Sequence, residues 1–317
     1  GGSMLYGAVG RTDLISPEAT DSLTRSQYRS AHRLAEMLPD DARIYPTHGF
    51  GSFCASAAGE GESDGTLGTE RKINVAFTAS DEDTFVERLV AGLDSYPRYY
   101  AHMGPLNLAG GVAIDLSPPA EVDPVELARR IHRGEWVVDL RSRVDFAASH
   151  ISGTIGIEMD DGFSTYLAWL LPWGMPLTLL ADNPDHITEA QRQLVRVGID
   201  RLSGAVHGPP DRWVPDAERS SYRVLSFAGL ADEPDLPVLD VRLQNEFAEG
   251  HIEGAVNIPL GDLLMRLHEV PEVELAVHCR SGYRASVATS LLDRAGHKVV
   301  LIDDMFDNAT RSGRRVQ

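Results

Sequence analysis

The sequence predicts an α/β protein whose last two thirds hold two tandem copies of one small domain, preceded by a region of different character. Two observations carry that reading. The first is an internal repeat. Val138-Asp139-Leu140-Arg141, Phe146-Ala147 and His150-Ile151-Ser152-Gly153 recur as Leu239-Asp240-Val241-Arg242, Phe247-Ala248 and His251-Ile252-Glu253-Gly254, every match 101 positions later. That period is one small domain, too long for a solenoid unit. The second is the alternation of short apolar runs with helical patterns inside each copy, which points to βα units and a parallel sheet covered on both faces.

In the first copy Trp136–Leu140 and Pro176–Ala181 read as strands and Ile187–Val197 as a helix. In the second, Pro237–Val241, Glu274–His278 and Val299–Ile302 read as strands, and Tyr283–Ala295 as a helix that stops before Gly296. The Pro- and charge-rich stretch from Gly208-Pro209-Pro210 to Ser221 is the expected linker. In the first third, Ser16-Pro17 predicts a capped helix running to about Met37, Arg43–Tyr45 a short strand, and Ser80–Leu93 a capped amphipathic helix. Leu116-Ser117-Pro118-Pro119 marks the boundary. The domain ranges that follow are 1–116, 120–208 and 222–317.

The 317 residues are 43% hydrophobic and carry 29 basic against 47 acidic side chains, a formal charge of −18. So acidic a chain is not expected to bind nucleic acid or an anionic membrane. The two cysteines, Cys54 and Cys279, allow neither a disulfide framework nor a four-cysteine zinc site. The longest apolar stretch, Leu167 to Ala181, is broken by Pro172, Gly174 and Pro176 and is too short to span a bilayer. No export signal opens the chain, so a reduced, cytoplasmic setting is expected. Residue 1 is Gly and the first Met is Met4. Gly-Gly-Ser is then either a cloning leftover or part of the tail of a longer chain.

The chemistry points to Cys279, which stands where the apolar run Leu275-Ala276-Val277-His278 gives way to a helix. A tight loop at the end of a parallel strand turns several backbone N–H groups toward one spot, and the following helix adds the positive end of its dipole. With Arg280 and Arg284 adjacent, a thiolate is favoured beside an anion-binding cradle. His150 and His251 also recur, but a repeat that includes a copy without a nucleophile assigns them to scaffold hydrogen bonding.

The run Asp240-Val241-Arg242, Glu246-Phe247, Gly250 to Ala255, Asn257-Ile258-Pro259 and Cys279 to Arg284 resembles a rhodanese (sulfurtransferase) domain over about residues 225–311. The resemblance implies sulfane-sulfur transfer, with Cys279 cycling through a persulfide. It assigns Arg280 and Arg284 to charge stabilisation, Ser281, Gly282 and Tyr283 to the substrate-binding loop, and Asp240 and Arg242 to support. The donor would be thiosulfate or a low-molecular-weight persulfide, the acceptor a thiol or cyanide. No cofactor is required, and a homodimer is compatible. The six-residue span Cys279–Arg284 resembles sulfurtransferases; the related cell-cycle phosphatases carry one residue more. Asp303-Asp304 stands where the family often has Gly-Gly, which places negative charge near an anion site.

In the first copy, Leu177-Thr178-Leu179-Leu180 leads to Ala181-Asp182, which places Asp182 at the cysteine position and Ile187 at that of Arg284. That copy is expected to be non-catalytic and to pack against the active one or the first third.

Gly7 to Leu14, Tyr45-Pro46-Thr47-His48-Gly49, Thr66 to Glu70 and Asn74 resemble the C-terminal half of a metallo-β-lactamase-fold hydrolase, in the branch with glyoxalase II and persulfide dioxygenases. The expected fold is thus two rhodanese-like domains after a partial αββα half. Of that fold's metal ligands only His48 is present. The His cluster would lie before residue 1, and the bridging Asp would align near Gly2. One imidazole cannot hold a catalytic zinc or iron, so metal is expected only if a longer parent supplies the rest. Cys54, six residues after His48, is a possible second thiol. Two other functions stand beside sulfur transfer: the tail of a metallo-hydrolase or persulfide dioxygenase, and a partner-binding or redox-sensing module.

Overall fold

A computed structural model describes residues 2–46, 64–93, 95–111, 113–311 and 316. The chain divides into two compact units, Gly1–Tyr96 and Pro97–Gln317. Residues 97–119 therefore belong with the repeats rather than with the first third, and the two copies together form one unit. Among the described residues no helix is long and apolar enough to cross a membrane.

The first unit is helical. Helix α1 (Pro17–Met37) starts where Ser16, in extended backbone, accepts the Ala19 N–H, and Pro17 takes the first position where no donor is needed. α2 (Leu67–Ile73) and α3 (Val75–Thr78) follow, and α4 (Glu82–Ala91) is capped by Asp81. Their inward faces bury Ala31, Ala35, Leu67, Ala76, Phe85 and Leu89 with Met4 and Val9. The expected strand at 43–45 is only an antiparallel bridge between Arg43 and Thr66. Glu70 and Asn74, both fully buried, hold the N-terminal turn: Glu70 Oε2 accepts the Gly7 N–H at 2.8 Å, and Asn74 Nδ2 donates to Leu5, Ala8 and Glu70. Buried polar side chains of this kind are affordable because they satisfy buried backbone groups.

The second unit opens with α5 (Tyr100–Ala109) and α6 (Pro124–His132). The first copy then runs β1 (Trp136–Asp139), α7 (Arg143–Ala148), β2 (His150–Ile151), β3 (Ile155–Gly156), α8 (Phe163–Leu170), β4 (Leu177–Ala181), α9 (Pro184–Leu194) and β5 (Gly204–His207). β6 (Arg219–Ser220) lies in the connection. The second copy runs β7 (Arg223–Leu225), α10 (Phe227–Ala231), β8 (Val238–Asp240), α11 (Gln244–Glu249), β9 (Val256–Asn257), β10 (Leu275–His278), α12 (Tyr283–Arg294), β11 (Val299–Ile302) and α13 (Asp307–Arg311).

The two parallel sheets have one topology. Their orders are β3-β1-β4-β5 and β7-β11-β10-β8-β9, and a parallel bridge from Glu121 to Ala205 supplies the first copy's counterpart of β7. The sequence repeat is thus a repeat of a sheet. β1, β4, β10 and β11 are buried at every position, as strands covered on both faces must be.

Strand register corrects one alignment. β8 sets Asp240 opposite His278, whereas β1 sets Asp139 opposite Leu180. Since Asp139 and Asp240 are repeat mates, Leu180 corresponds to His278 and Ala181, not Asp182, to Cys279. Helix α9 then begins at Pro184, so the first copy's loop is one residue shorter, and Asp185 rather than Ile187 takes the helical position of Arg284. Along the chain alone no strand partner fixes this pairing; the register of β1 with β4 does.

The linker is not a free tether. β6 pairs antiparallel with β2, and Trp213, 2% exposed, packs with Val122, Leu127 and Leu180 while its indole N–H donates to the Gly208 carbonyl at 3.0 Å. Trp213→Ala should lower unfolding stability by about 3–5 kcal/mol in urea denaturation. A loss below about 1 kcal/mol would mean the segment is not part of the core.

Candidate active site

Cys279 follows the central strand β10, is 1% exposed and is free. The loop turns through Gly282, whose φ of +90° favours a residue without a side chain. Space makes the same demand, because a Cβ there would lie 2.1 Å from Asp303 Oδ1. Phe306 N–H donates to the Arg280 carbonyl at 2.8 Å, which ties the loop to the turn after β11. Helix α12 starts with no side-chain cap, so its first N–H groups remain available to an anion beside the sulfur.

The two predicted arginines differ. Arg284, in the first turn of α12, donates from Nη1 and Nη2 to Glu246 at 2.5 and 2.8 Å. Burial works against its charge, but the Glu246 carboxylate outweighs that and raises its pKa, so it stays a cation. Arg280 is exposed and forms no ion pair with any described residue. Ser281 is exposed beside it. Tyr283 is buried, and its hydroxyl donates to the Glu158 carbonyl of the first copy at 2.6 Å. That bond makes Tyr283 a tether between the copies and leaves its hydroxyl turned away from substrate duty.

Asp240 and Arg242 lie beneath the loop. Arg242 folds back onto Asp240 through Nε and Nη2 and also donates to the Gly250 carbonyl at 2.8 Å. Asp139 and Arg141 do the same in the first copy, reaching the Ser149 carbonyl at 2.9 Å. A pair present in a copy without a nucleophile serves the scaffold. The two histidines follow suit: His150 and His251 bond the carbonyls of Phe146 and Phe247 and stack on those rings at 3.9 and 3.8 Å. His278, fully buried, has Nε2 3.4 Å from Asp240 but without hydrogen-bond alignment. Burial lowers its pKa against the pull of Asp240, leaving it neutral.

Several groups at the mouth come from the first copy. Tyr166 of α8 lies 5.3 Å, ring to ring, from Tyr283. Arg143 of α7 donates to Glu158 and to Asp303. Asp303, in the second copy, has a sequence signal in its departure from the family's glycine; Arg143, Glu158 and Tyr166 have none, because they meet Asp303 or Tyr283 across more than a hundred residues.

His48 and Cys54 lie outside the described residues. Among the described ones no three His, Cys, Asp or Glu side chains converge into a group able to hold a metal. The metal centre implied by the sequence resemblance needs such a group. The described residues do not fit that metal centre, and no step of the chemistry below passes through one.

The Arg284–Glu246 pair is testable by pH. Burial alone would raise the Glu246 pKa, but Arg284 overrides it and holds the carboxyl below its ordinary value of 4.5. A depressed carboxyl contributes stability above its unfolded pKa and loses it as pH falls through the folded one. The stability advantage over Glu246→Gln should be full above the ordinary carboxyl range and be lost as pH falls through the depressed folded pKa. A difference constant across that range would show that the pair does not titrate with folding.

The rhodanese-like domain family matches residues 225–309. A putative sulfur carrier protein, YrkF, of Bacillus subtilis is 37% identical over 115 residues, 36% of this chain and 60% of that protein. A sulfurtransferase of Allochromatium vinosum is 34% identical over 87 residues, 27% of this chain and 76% of that protein. Among solved structures, a metallo-β-lactamase from Staphylococcus aureus is similar with a TM-score of 0.53 and 25% identity, covering 66% of this chain and 57% of that one. The chain thus spans somewhat more than half the length of the Bacillus and Staphylococcus proteins. Through its second copy, with Cys279 at the end of the central strand, the chain belongs to the rhodanese-like sulfurtransferase family.

Proposed function

We propose that the chain transfers sulfane sulfur through a persulfide on Cys279. The observation that carries this is the placement of a free, buried thiol at the foot of a six-residue loop that leads into an uncapped helix. Nucleophile and anion cradle then share one backbone turn. Family membership supports the same reaction class.

In this reading the Cys279 thiolate attacks the outer sulfur of thiosulfate. A Cys279 S–S bond forms, the donor S–S bond breaks, and sulfite leaves with the bonding pair. A low-molecular-weight persulfide would donate in the same way, with a thiolate as leaving group. Loop N–H groups hold the negative persulfide, Arg284 stays paired with Glu246 in the first turn of α12, and exposed Arg280 receives the incoming anion. An acceptor thiolate or cyanide then attacks the terminal sulfur and regenerates the Cys279 thiolate. These steps use only the chain's own residues and the two substrates, so the reaction requires no cofactor.

The test is intact mass of the purified full chain after incubation with thiosulfate, with peptide mapping. A gain of one sulfur atom on Cys279, removed by cyanide and absent in Cys279→Ser, is expected. No adduct on Cys279 in folded protein would overturn the reading.

A further inference from the structure

Asp303 poses an electrostatic problem. It follows β11, and its carboxylate is packed so closely against Gly282 that a Cβ there would be 2.1 Å from Oδ1. A carboxylate against the turn of an anion-binding loop opposes both a thiolate at Cys279 and an anionic donor. The loop's own cations do not reach it: Arg284 is committed to Glu246, and Arg280 is exposed and forms no ion pair with any described residue.

The counter-charge comes from the copy that lacks a nucleophile. Arg143, the first residue of α7, donates through Nε to Asp303 Oδ1 at 2.8 Å and through Nη1 to Glu158 Oε2 at 2.5 Å. The side chains of Arg143, Glu158 and Asp303 are 28, 25 and 18% exposed, so solvent screens the bridge only in part. Burial disfavours the Arg143 charge, but the two carboxylates outweigh it and keep the guanidinium protonated. Glu158 is tied in as well, because its carbonyl accepts the Tyr283 hydroxyl of the catalytic loop.

We propose that Arg143 is a positioning residue for the Cys279 reaction: held by the nucleophile-free copy, it neutralises and orients Asp303 so that the loop can keep a thiolate and accept an anionic sulfur donor. The donor half of this statement rests on the sulfurtransferase reading; the thiolate half does not. The other titratable or charged groups around the loop, Arg280, Arg284, Glu246, Tyr166, Tyr283 and His278 with Asp240, Arg242 and Asp160 behind them, stay the same in every variant below.

The test uses the full chain as wild type, Arg143→Gln, Arg143→Lys, Asp303→Asn and the double variant Arg143→Gln/Asp303→Asn. The first readout is the pH dependence of Cys279 alkylation by iodoacetamide, followed on its own peptide so that Cys54 does not interfere. Arg143→Gln should shift the alkylation midpoint upward by roughly half a pH unit to one unit, and the double variant should return it to wild type or below. Arg143→Lys should lie between. The second readout is thiosulfate turnover, in which Arg143→Gln should raise KM about fivefold with kcat little changed, and Asp303→Asn should restore it.

An unshifted alkylation midpoint in Arg143→Gln overturns the proposal. So does a double variant as impaired as the single one, since that pattern means lost packing rather than unbalanced charge. If the wild type loads no sulfur, the sulfurtransferase reading fails, while the alkylation profile still decides the role of Arg143.

Discussion

Burial of helix α12 on two sides is the constraint on which the site depends. Tyr283 and every residue from Ala285 to Leu292 are buried, although a helix on the face of a lone sheet would expose one side. One side covers β10 and β11 of its own sheet, and the other packs on β3 of the first copy, where Ser290 lies within 3.3 Å of the Gly156 carbonyl. So close an approach favours small side chains, and Ala285, Ser286, Ala288, Thr289 and Ser290 supply them. The helix carries hydroxyls as well as methyl groups: Ser286 donates to the Tyr283 carbonyl and Thr289 to that of Ala285, while the Ser290 hydroxyl is shared between the Val287 carbonyl and the Gly156 carbonyl across the inter-copy face. Cys279 begins the loop that leads from β10 into this clamped helix, so both ends of the loop are fixed by packing.

That constraint gives a reason for a second sheet without a nucleophile. The first copy keeps the features that shape the fold, namely strand order, the Asp-x-Arg pair and the histidine stacked on phenylalanine. It lacks those that shape the loop. Ala181 offers no sulfur, Asn183 caps α9 with its own side chain and so occupies the Asp185 N–H that an anion would need, and the loop is one residue shorter. What it contributes is a wall: Tyr166, the Glu158 carbonyl and Trp169, which packs so tightly on Gly261 that a Cβ there would lie 2.6 Å from the indole. Losing the cysteine frees a copy from catalysis without freeing it from the interface.

Much of the sheet architecture was legible because buried parallel strands are written as continuous apolar runs, and β11 was placed at its observed limits, Val299–Ile302. Helix α1 was equally plain, since Ser16-Pro17 states its start chemically. β5, Gly204–His207, escaped because Gly-Ala-Val-His has neither length nor alternation and is a strand only through pairing with β4. Helix α5, with Pro105 inside it, contradicts its local sequence outright. At the site, Cys279 and its glycine were readable because a strand–loop–helix nucleophile is a local arrangement. The balance of charge at its mouth was not. Arg143 looks like any surface arginine until β11 and α7 are brought together, a fact of tertiary structure that no window along the chain contains.

The charge pattern at the mouth says where the positive potential of the site must originate. The chain carries −18 overall, a background that repels anions at low ionic strength. At the rim, Arg284 faces Glu246, and Arg143 faces Glu158 and Asp303, so each buried or half-buried cation is matched by at least one carboxylate. Matched pairs orient side chains but create little net field. Among the described residues, what is left for an anion is exposed Arg280, reachable from solvent, and the N–H groups of the loop and the first turn of α12. Backbone dipoles act over the first turn and fade beyond it, so they favour a compact negative group seated in the loop over charge spread along a larger molecule. Exposed Arg280 sets how an anion approaches, whereas the fixed backbone sets how tightly it is held once the carboxylates around it have been balanced.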